Sequence, residues 1–401
     1  SYAPNLTIID GTIADPIRNE PGTGATATST LAIQTVGMDN FGAGYDSVPT
    51  VTITDTAPGA GAGATATARI DNGGVTGITL TAGGSGYLTA GGVQKFVDTL
   101  PGLCNPSVPG NCSAAENNLG QYVPLGVPDT TTFTVANGFA TDADYYQIAL
   151  VQHREHMSSS LPARGTLTRV YVQLETPANA SWSQHVALMT DWPDGTSTPV
   201  LLPNGNQAYA VTQPHFLGPV ISATKDKPVR IVFHNLLPTG AAGDLFLPVD
   251  ATMMGSGMGP NGDMAPMDLG SVTDAVRNPL CTQEPKSPDC FKDNRATLHL
   301  HGGITPWISD GTPHQWITPA GENATYPQGV SVGNVPDMNV CTAADDGCQT
   351  FYYTNQQSAR LMFYHDHAWG ITRLNVYAGE AAGYLITDSA EQALINSGTI
   401  P

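Results

Sequence analysis

Alternating and continuous apolar stretches recur along the second half of the chain, separated by residues typical of turns. Alternation with a period of two predicts strands with one buried face, and short apolar runs between turn residues predict strands buried on both faces. Several such strands joined by turns favour an all-β sandwich or barrel with antiparallel neighbours. The predicted strands are residues 146–151, 168–174, 228–233, 296–300, 360–364 and 383–386.

The first hundred residues have a different pattern. The sequence GATAT occurs at 24–28 and again at 63–67, and a glycine–tyrosine segment at 42–45 recurs at 84–87. A spacing of roughly 40 residues indicates an imperfect duplication. Alternating segments at 51–53 and 78–80 predict strands within it, so we expect a Gly/Thr-rich β-repeat module. A spacer or structural role is expected for it, with binding or adhesion as the alternative.

The composition limits the class of protein. Of the 401 residues only 12% are charged, whereas 44 are glycine and 31 are proline, which favours short strands and turns over helices. The formal net charge is −19. A strongly acidic surface disfavours nucleic acids and anionic membranes as partners, and it attracts cations.

Six cysteines fall into three close pairs, Cys104/Cys112, Cys281/Cys290 and Cys341/Cys348. Each pair closes a short polar loop, which predicts three local disulfides formed in an oxidising compartment. Free thiols are the alternative, and zinc binding is disfavoured because no Cys-x-x-Cys motif occurs. No apolar run approaches transmembrane length. We therefore expect a soluble, extracytoplasmic protein, whether secreted, periplasmic or attached to the cell surface.

Two His-x-His pairs carry the clearest chemical signal. His299 and His301 flank one residue, as do His365 and His367. In an extended strand, residues i and i+2 point to the same face, so each pair directs two imidazoles to one point. A borderline-soft metal such as copper or zinc prefers such ligands. The two pairs therefore predict a transition-metal site, and a merely polar strand face is the alternative.

The residues around these pairs resemble the copper motifs of multicopper oxidases of the laccase type. The stretch 298–316 is similar to the first copper motif of that family, and 359–383 is similar to the second. Residues 217–221 and 228–236 resemble the strand pair that precedes the first motif. The resemblance covers about 140–390. It implies a cupredoxin-like Greek-key β-sandwich or barrel, preceded by the Gly/Thr-rich module.

The resemblance also implies roles for individual residues. His299 matches the ligand of the type-2 copper, and His301, His365 and His367 match ligands of the binuclear type-3 pair. Together these coppers form a trinuclear cluster that reduces O2 to water. Asp310 matches an acidic residue near the type-2 copper, where a carboxylate can relay protons. A turn-forming Asp-Gly pair is the alternative interpretation of that position.

The chain departs from the family because it carries only four of the ten copper ligands. It has no His-Cys-His motif, and no histidine follows His367. We therefore expect the N-terminal part of an oxidase, completed by a second polypeptide or a missing C-terminal portion that carries the type-1 copper. The reducing substrate stays open among phenols, Mn(II), Fe(II) and Cu(I). The alternative is a non-enzymatic extracellular copper-binding, structural or adhesion protein.

Domain boundaries follow from the same observations. Residues 1–20 are expected to contribute the first strand of the cupredoxin domain, through the apolar segment at 6–11. An inserted β-repeat module occupies 21–100, and a disulfide-containing linker occupies 101–135. The cupredoxin domain spans 136–390, and 391–401 begins an interdomain linker.

Three other groups are weaker metal candidates. His153 and His156 could share a metal if they lie on a helical turn. The methionine-rich segment that runs from Met253 to Met267 could bind Cu(I) through thioethers, although an ordinary flexible loop is the favoured interpretation. His314, downstream of the first motif, is expected to be a loop residue.

Overall fold

The computed structural model describes residues 47–53, 62–71, 74–85, 96–251, 253–259, 281–282, 284–330, 332–343 and 346–400. The chain divides into two compact units, Ser1–Gln94 and Lys95–Pro401. Each unit is described separately below.

The smaller unit contains an antiparallel hairpin of β1 (Ala62–Asp71) and β2 (Gly74–Ser85), with two register irregularities. The strand predicted at 78–80 lies in β2. The strand predicted at 51–53 is not formed, although Thr50 makes an isolated bridge with Thr67. The first copy of the duplicated sequence and the strand predicted at 6–11 lie outside the described residues.

The larger unit contains short strands and few helices, in agreement with the low charge and the high glycine and proline content. Three α-helices occur among its described residues, namely α1 (Asn111–Ala115), α2 (Thr372–Ala378) and α3 (Ser389–Asn396). Three 3-10 turns lie at Val135–Asn137, Gly240–Gly243 and Trp307–Ser309. The strands are β3 (Leu103–Cys104), β4 (Val123–Pro124), β5 (Asp144–Glu155), β6 (Thr166–Gln173), β7 (Val186–Ala187), β8 (Met189–Asp191), β9 (Ser197–Pro199), β10 (Tyr209–Ala210), β11 (Leu217–Thr224), β12 (Val229–Asn235), β13 (His299–His301), β14 (Cys348–Tyr353), β15 (Arg360–His365) and β16 (Ala381–Thr387).

Two four-stranded sheets form the body of this unit. One has the order β14-β12-β5-β6 and the other β11-β16-β15-β13. Residues from both sheets share one buried apolar cluster, including Ile148 on β5, Phe233 on β12, and Tyr364 and Tyr384 on β15 and β16. The two sheets therefore pack face to face as a β-sandwich. The predicted all-β, cupredoxin-like fold class is confirmed.

Strand β5 is buried on both of its faces. Ile148 and Leu150 point into the cluster between the sheets, whereas Ala149 and Val151 belong to a second cluster on the other side. A strand covered on both faces needs a continuous apolar run instead of strict alternation. This explains why residues 146–151 could be predicted as a strand without a polar face.

The strand pairing differs from the antiparallel arrangement that the turn signals favoured. β12 pairs parallel with β5, and β11 pairs parallel with β16. Parallel neighbours need long crossover connections, and local turn residues carry no information about partners so distant in sequence. The strand predicted at 296–300 is also shorter than expected. Ala296 forms a bridge with Ile317, and the ladder with β15 begins at His299.

The segment predicted as a linker packs closely against the sandwich. β3 pairs with β4, Leu125 forms a bridge with Val220 on β11, and Asp129 forms a bridge with Tyr145 on β5. These contacts place it within the larger unit, at the ends of both sheets. The domain boundaries given above stay predictions.

All three predicted disulfides are formed, Cys104–Cys112, Cys281–Cys290 and Cys341–Cys348. The two cysteines of each disulfide are seven to nine positions apart in the sequence. The second lies in the long excursion between β12 and β13, a region with no described strand, so it braces a segment that lacks ladder hydrogen bonds. Among the described helices, none combines the length and the apolar character needed to cross a bilayer.

His234 is a polar group that the fold holds away from water. The side chain as a whole is partly exposed, but its Nδ1 is buried and has no hydrogen-bond partner among the described residues. Loss of hydration disfavours the charged imidazolium, so burial lowers the pKa of His234 to about 4 from 6.5. The folded protein therefore keeps this histidine neutral at a pH where the unfolded chain protonates it.

We expect the free energy of unfolding to fall as the pH drops from 6.5 to 4, by at most about 3 kcal/mol from this residue. Above pH 6.5 His234 is neutral in both the folded and the unfolded state. Its burial therefore does not lower the free energy of unfolding in that range. Urea unfolding of wild type and His234→Gln at pH 7 and pH 4.5 measures the difference. His314→Gln, at an exposed position, is the control. Equal pH dependence in wild type and His234→Gln would contradict the assignment.

Candidate metal centre

The two His-x-His segments lie side by side at the edge of one sheet. β13 pairs antiparallel with β15, and the register places His299 opposite His365, Leu300 opposite Tyr364, and His301 opposite Phe363. Leu300 and Tyr364 point into the core between the sheets. Because successive side chains alternate, the histidines point to the other face.

All four predicted histidines come together on that face. A nitrogen from each of His299, His301 and His365 lies within 4.8 Å of the others. His367 follows the end of β15, and its ring centroid is 4.8 Å from that of His299 and 5.6 Å from that of His365. The site therefore combines two residues from an edge strand with two from the end of its neighbour.

Backbone carbonyls fix the tautomers of two of the rings. Nδ1 of His299 lies 2.5 Å from the carbonyl oxygen of Asp310, and Nδ1 of His365 lies 2.5 Å from that of Asp366. A carbonyl oxygen can only accept, so in both rings Nδ1 carries the proton and donates it. Each Nε2 then keeps its lone pair for a metal, which is the usual arrangement of histidine ligands. Nδ1 of His301 lies 3.2 Å from Nε2 of His365.

Burial favours the neutral form of His299 and His365. Desolvation lowers the pKa of His365 to about 4, and neighbouring imidazoles act in the same direction. Desolvation also lowers the pKa of His299, with further lowering from His367 and His301, against the hydrogen bond to Asp310. Neutral imidazole is the form that binds metals, so His299 and His365 are in their ligand form at neutral pH.

The donor set fits a copper ion. Four imidazole ligands suit copper, whereas hard cations prefer oxygen ligands. Nδ1 of His367 is buried without a hydrogen-bond partner among the described residues. Buried polar atoms usually have a partner, and a metal ion could be the partner of this nitrogen. His301 is exposed and stacks on Phe363, with ring centroids 4.7 Å apart. The cluster is thus open on one side.

Asp310 lies beside the cluster, at the end of the turn Trp307–Ser309. Its carbonyl holds His299, while its carboxylate accepts a hydrogen bond of 2.7 Å from Oγ1 of Thr305. The carboxylate Oδ1 is 3.9 Å from Nδ1 of His299. The geometry therefore allows both the turn role and the acidic role considered for this residue, and the proton relay stays a prediction.

Asp366, directly after the end of β15, turns its carboxylate toward Thr297, Ala368 and Asn375 and not toward the cluster. It is fully buried, and burial raises its pKa against the hydrogen bonds that it accepts from Asn375, Thr297 and Ala368. Sequence reasoning did not single out Asn375. Its only signal is a position inside the second motif, because a buried amide leaves no periodicity in a sequence.

The three weaker histidine candidates do not join the cluster. His153 lies on β5, so the helical turn considered for it is wrong, and its Nδ1 faces Asp191 at 3.3 Å. His156 follows the strand and lies 3.3 Å from the carbonyl oxygen of Leu161. His314 is exposed.

The methionine-rich segment is described only in part. Met253 and Met254 are exposed, and the sulfur of Met258 lies 3.7 Å from that of Cys290. Met264 and Met267 lie outside the described residues, so thioether binding of Cu(I) stays a prediction.

The sheets and the histidine cluster together define an all-β, cupredoxin-like domain with a copper-type ligand set. The similar proteins are laccases and other multicopper oxidases. A laccase from Bacillus stratosphericus is 32% identical over 177 residues, which is 44% of this chain and 24% of that protein. A bilirubin oxidase from Albifimbria verrucaria is 57% identical over 98 residues, 24% of this chain and 13% of that protein. The resemblance to laccase-like multicopper oxidases is thereby confirmed.

These matches span about a quarter or less of the length of the relatives. No protein-family model matches the chain. Among solved structures, a multi-copper oxidase from Pediococcus acidilactici is 16% identical, with 68% of this chain and 31% of that chain covered. Its TM-score is 0.30, too low to support an argument about this chain.

Gly311 lets the loop that carries Asp310 approach β13. Its φ is +63°, and a Cβ there would lie 2.0 Å from the carbonyl oxygen of Leu298, next to His299. Gly302 also has a positive φ, +78°, but a Cβ there would meet nothing within 4 Å. An alanine at Gly302 would therefore add backbone strain alone, whereas an alanine at Gly311 would add backbone strain and a steric clash.

We expect Gly302→Ala to cost about 1–2 kcal/mol through backbone strain, and Gly311→Ala to cost about 3 kcal/mol or more because a backbone carbonyl must also move. Thermal unfolding of the two variants measures the difference. Equal losses of stability would show that the approach of the loop to Leu298 does not constrain this site.

Proposed function

We infer that this chain is the N-terminal part of a multicopper oxidase, in which His299, His301, His365 and His367 supply four ligands of a trinuclear copper cluster. His299 would bind the type-2 copper, and the other three would bind the type-3 pair. The complete assembly would take single electrons from a reducing substrate and reduce O2 to water. Copper bound at the cluster supplies the redox chemistry of that reaction.

The convergence of the two His-x-His segments is the observation that carries this proposal. Two hydrogen bonds to carbonyls leave Nε2 of His299 and His365 available on one face. The names of the relatives, laccase and bilirubin oxidase, support an oxidoreductase. A single-ion structural site would favour a closed set of ligands, whereas this cluster is open at the exposed His301.

We propose that the remaining ligands come from outside this sequence. No histidine follows His367, and the chain has no free cysteine among its six, since all form disulfides. We therefore place the type-1 copper and the other cluster ligands on a C-terminal portion or a second polypeptide. That part would cover the open side of the cluster and exclude water from it.

The chain's own residues would handle protons and orientation. Thr305 donates to Oδ1 of Asp310 and so orients the carboxyl beside His299. We place the proton needed for water formation at Oδ2 of Asp310. The carbonyls of Asp310 and Asp366 would keep two imidazoles aimed at the ions throughout the reaction.

The reducing substrate belongs to the part that carries the type-1 copper. Phenols, Mn(II), Fe(II) and Cu(I) fit the proposal, and the net charge of −19 favours a metal cation. The three disulfides support an extracytoplasmic location.

Native mass spectrometry of the protein isolated from its source, with a denatured run in parallel, tests this function. We expect about four coppers in each assembly, as the family resemblance implies, with the remaining motifs on the same or a second polypeptide. A pair of variants sharpens the result. His299→Ala with His365→Ala should abolish copper loading of the trinuclear cluster and leave the type-1 copper, whereas His153→Ala with His156→Ala should leave the full copper content unchanged.

An assembly that contains only this chain, with no copper or one loosely held ion, would contradict the oxidase function. A non-enzymatic binding or structural protein would then be the better description.

A further inference from the structure

One buried carboxylate contacts both segments that carry the candidate ligands. Asp366 accepts hydrogen bonds from the backbone N–H of Thr297 at 2.9 Å and of Ala368 at 3.1 Å. Thr297 lies two residues before His299, and Ala368 directly follows His367. A single side chain therefore joins the chain entering the first His-x-His pair to the chain leaving the second.

Asn375 extends this connection to a third element. It lies on α2, is fully buried, and donates from Nδ2 to Oδ2 of Asp366 at 2.9 Å and to the carbonyl oxygen of Arg295 at 3.1 Å. Both hydrogens of its amide are thus used. The helix that follows the second motif is tied to Asp366 and to the segment preceding the first motif.

The backbone ladder alone does not explain the position of His367. β13 is an edge strand that pairs with β15 over only three residue pairs, and the ladder ends at His299 and His365. His367 lies two residues beyond that end. Its position depends on what holds residues 366–368. The N–H of Ala368 donates to the carboxylate of Asp366, the N–H of Asp366 donates to the carbonyl oxygen of Glu380, and the carbonyl oxygen of Ala368 accepts from Thr372 at the start of α2. Among these contacts, the carboxylate of Asp366 is the one that also reaches the segment before His299.

Arg295 reinforces the same junction from the other side. Its guanidinium is fully buried and donates to the carbonyl oxygens of Gly255 at 2.7 Å and of Trp369 at 3.1 Å. Trp369 follows the second His-x-His pair, so the segments are joined once through Asp366 and once through Arg295. Hydrogen bonds in the low-dielectric interior are stronger than in water, so these bonds favour one arrangement of the chains that they connect.

We propose that Asp366 and Asn375 are positioning residues that hold the two His-x-His segments together beyond the end of their ladder, so that His367 joins the other three imidazoles. The identity of the metal rests on the proposed function, but the positioning role concerns the polypeptide itself. Neither residue would touch an ion held by the four imidazoles. The two residues act through the ligands, which must point to one place before an ion can bind them all.

The main variant is Asn375→Leu, which keeps the approximate size and removes both donated hydrogen bonds. Asn179→Leu is the matched control. Asn179 is also buried and uses its amide to join Thr176 and Leu174, in a turn outside the metal segments. Both variants lose two hydrogen bonds to buried groups, so both should be less stable than wild type.

Copper affinity of the full chain is measured by competition of Cu(I) with a chromophoric chelator, together with the electron paramagnetic resonance spectrum of the Cu(II)-loaded protein. We expect Asn375→Leu to weaken copper binding by about 10- to 100-fold and to broaden the spectrum. Asn179→Leu should lower Tm but keep both the affinity and the spectrum of wild type. Equal affinity and spectra in wild type and Asn375→Leu, or equal weakening in both variants, would overturn the positioning role.

Amide hydrogen exchange of the metal-free protein gives a second readout that does not depend on copper. Asn375→Leu should accelerate exchange in 297–301 and 363–368, whereas Asn179→Leu should leave both segments unchanged. Unchanged exchange in Asn375→Leu would also overturn the proposal. If Asn375→Leu does not fold, Asn375→Ser, which keeps one donor, replaces it with smaller expected effects of the same sign.

The two readouts distinguish the positioning role from the proposed function. A wild-type chain that binds no copper, but in which Asn375→Leu accelerates exchange at both segments, would end the oxidase proposal and leave the positioning role standing. A wild-type chain that binds copper as tightly as Asn375→Leu would end the positioning role and leave the oxidase proposal standing.

Discussion

The metal centre depends on the register between β13 and β15. Leu300 and Tyr364 face each other in this pair and are buried between the sheets. Because side chains alternate, their burial forces His299, His301 and His365 to the opposite face. A slip of one residue would turn imidazoles into the core and apolar side chains into solvent. The hydrophobic core thus selects the register, and the register brings the ligands together.

Local patterns predicted the strands and the shared face of each histidine pair, because both depend on the period of two. They did not predict the parallel pairs of β5 with β12 and of β11 with β16, since these partners are distant in sequence. Nor did they predict that the ladder between β13 and β15 begins only at His299. The N–H of Thr297 binds the side chain of Asp366 instead of a neighbouring strand, and a buried partner of this kind leaves no trace in alternation.

Several fully buried charges lie behind the metal face. Arg169 and Glu380 approach to 3.8 Å, and burial raises the pKa of Glu380 well above its usual value. Such groups are costly compared with apolar side chains of similar size. Arg169 donates to the carbonyl oxygens of Gly243 and Asp293, and Arg295 donates to other loop carbonyls. The described part of the excursion between β12 and β13 has no ladder to satisfy its carbonyls, so buried guanidinium groups stabilise it instead.

Exposure within the histidine cluster is graded. His301 is exposed, the side chain of His299 is 17% exposed, and His365 is only 6% exposed. If the four imidazoles bind a metal as proposed, an ion arriving at this chain from solvent would meet His301 first. Nε2 of His365 lies 3.2 Å from Nδ1 of His301, so the inner ring would be the next ligand within reach. The gradient would give metal entry a direction, and release along the same route would first break the innermost bonds.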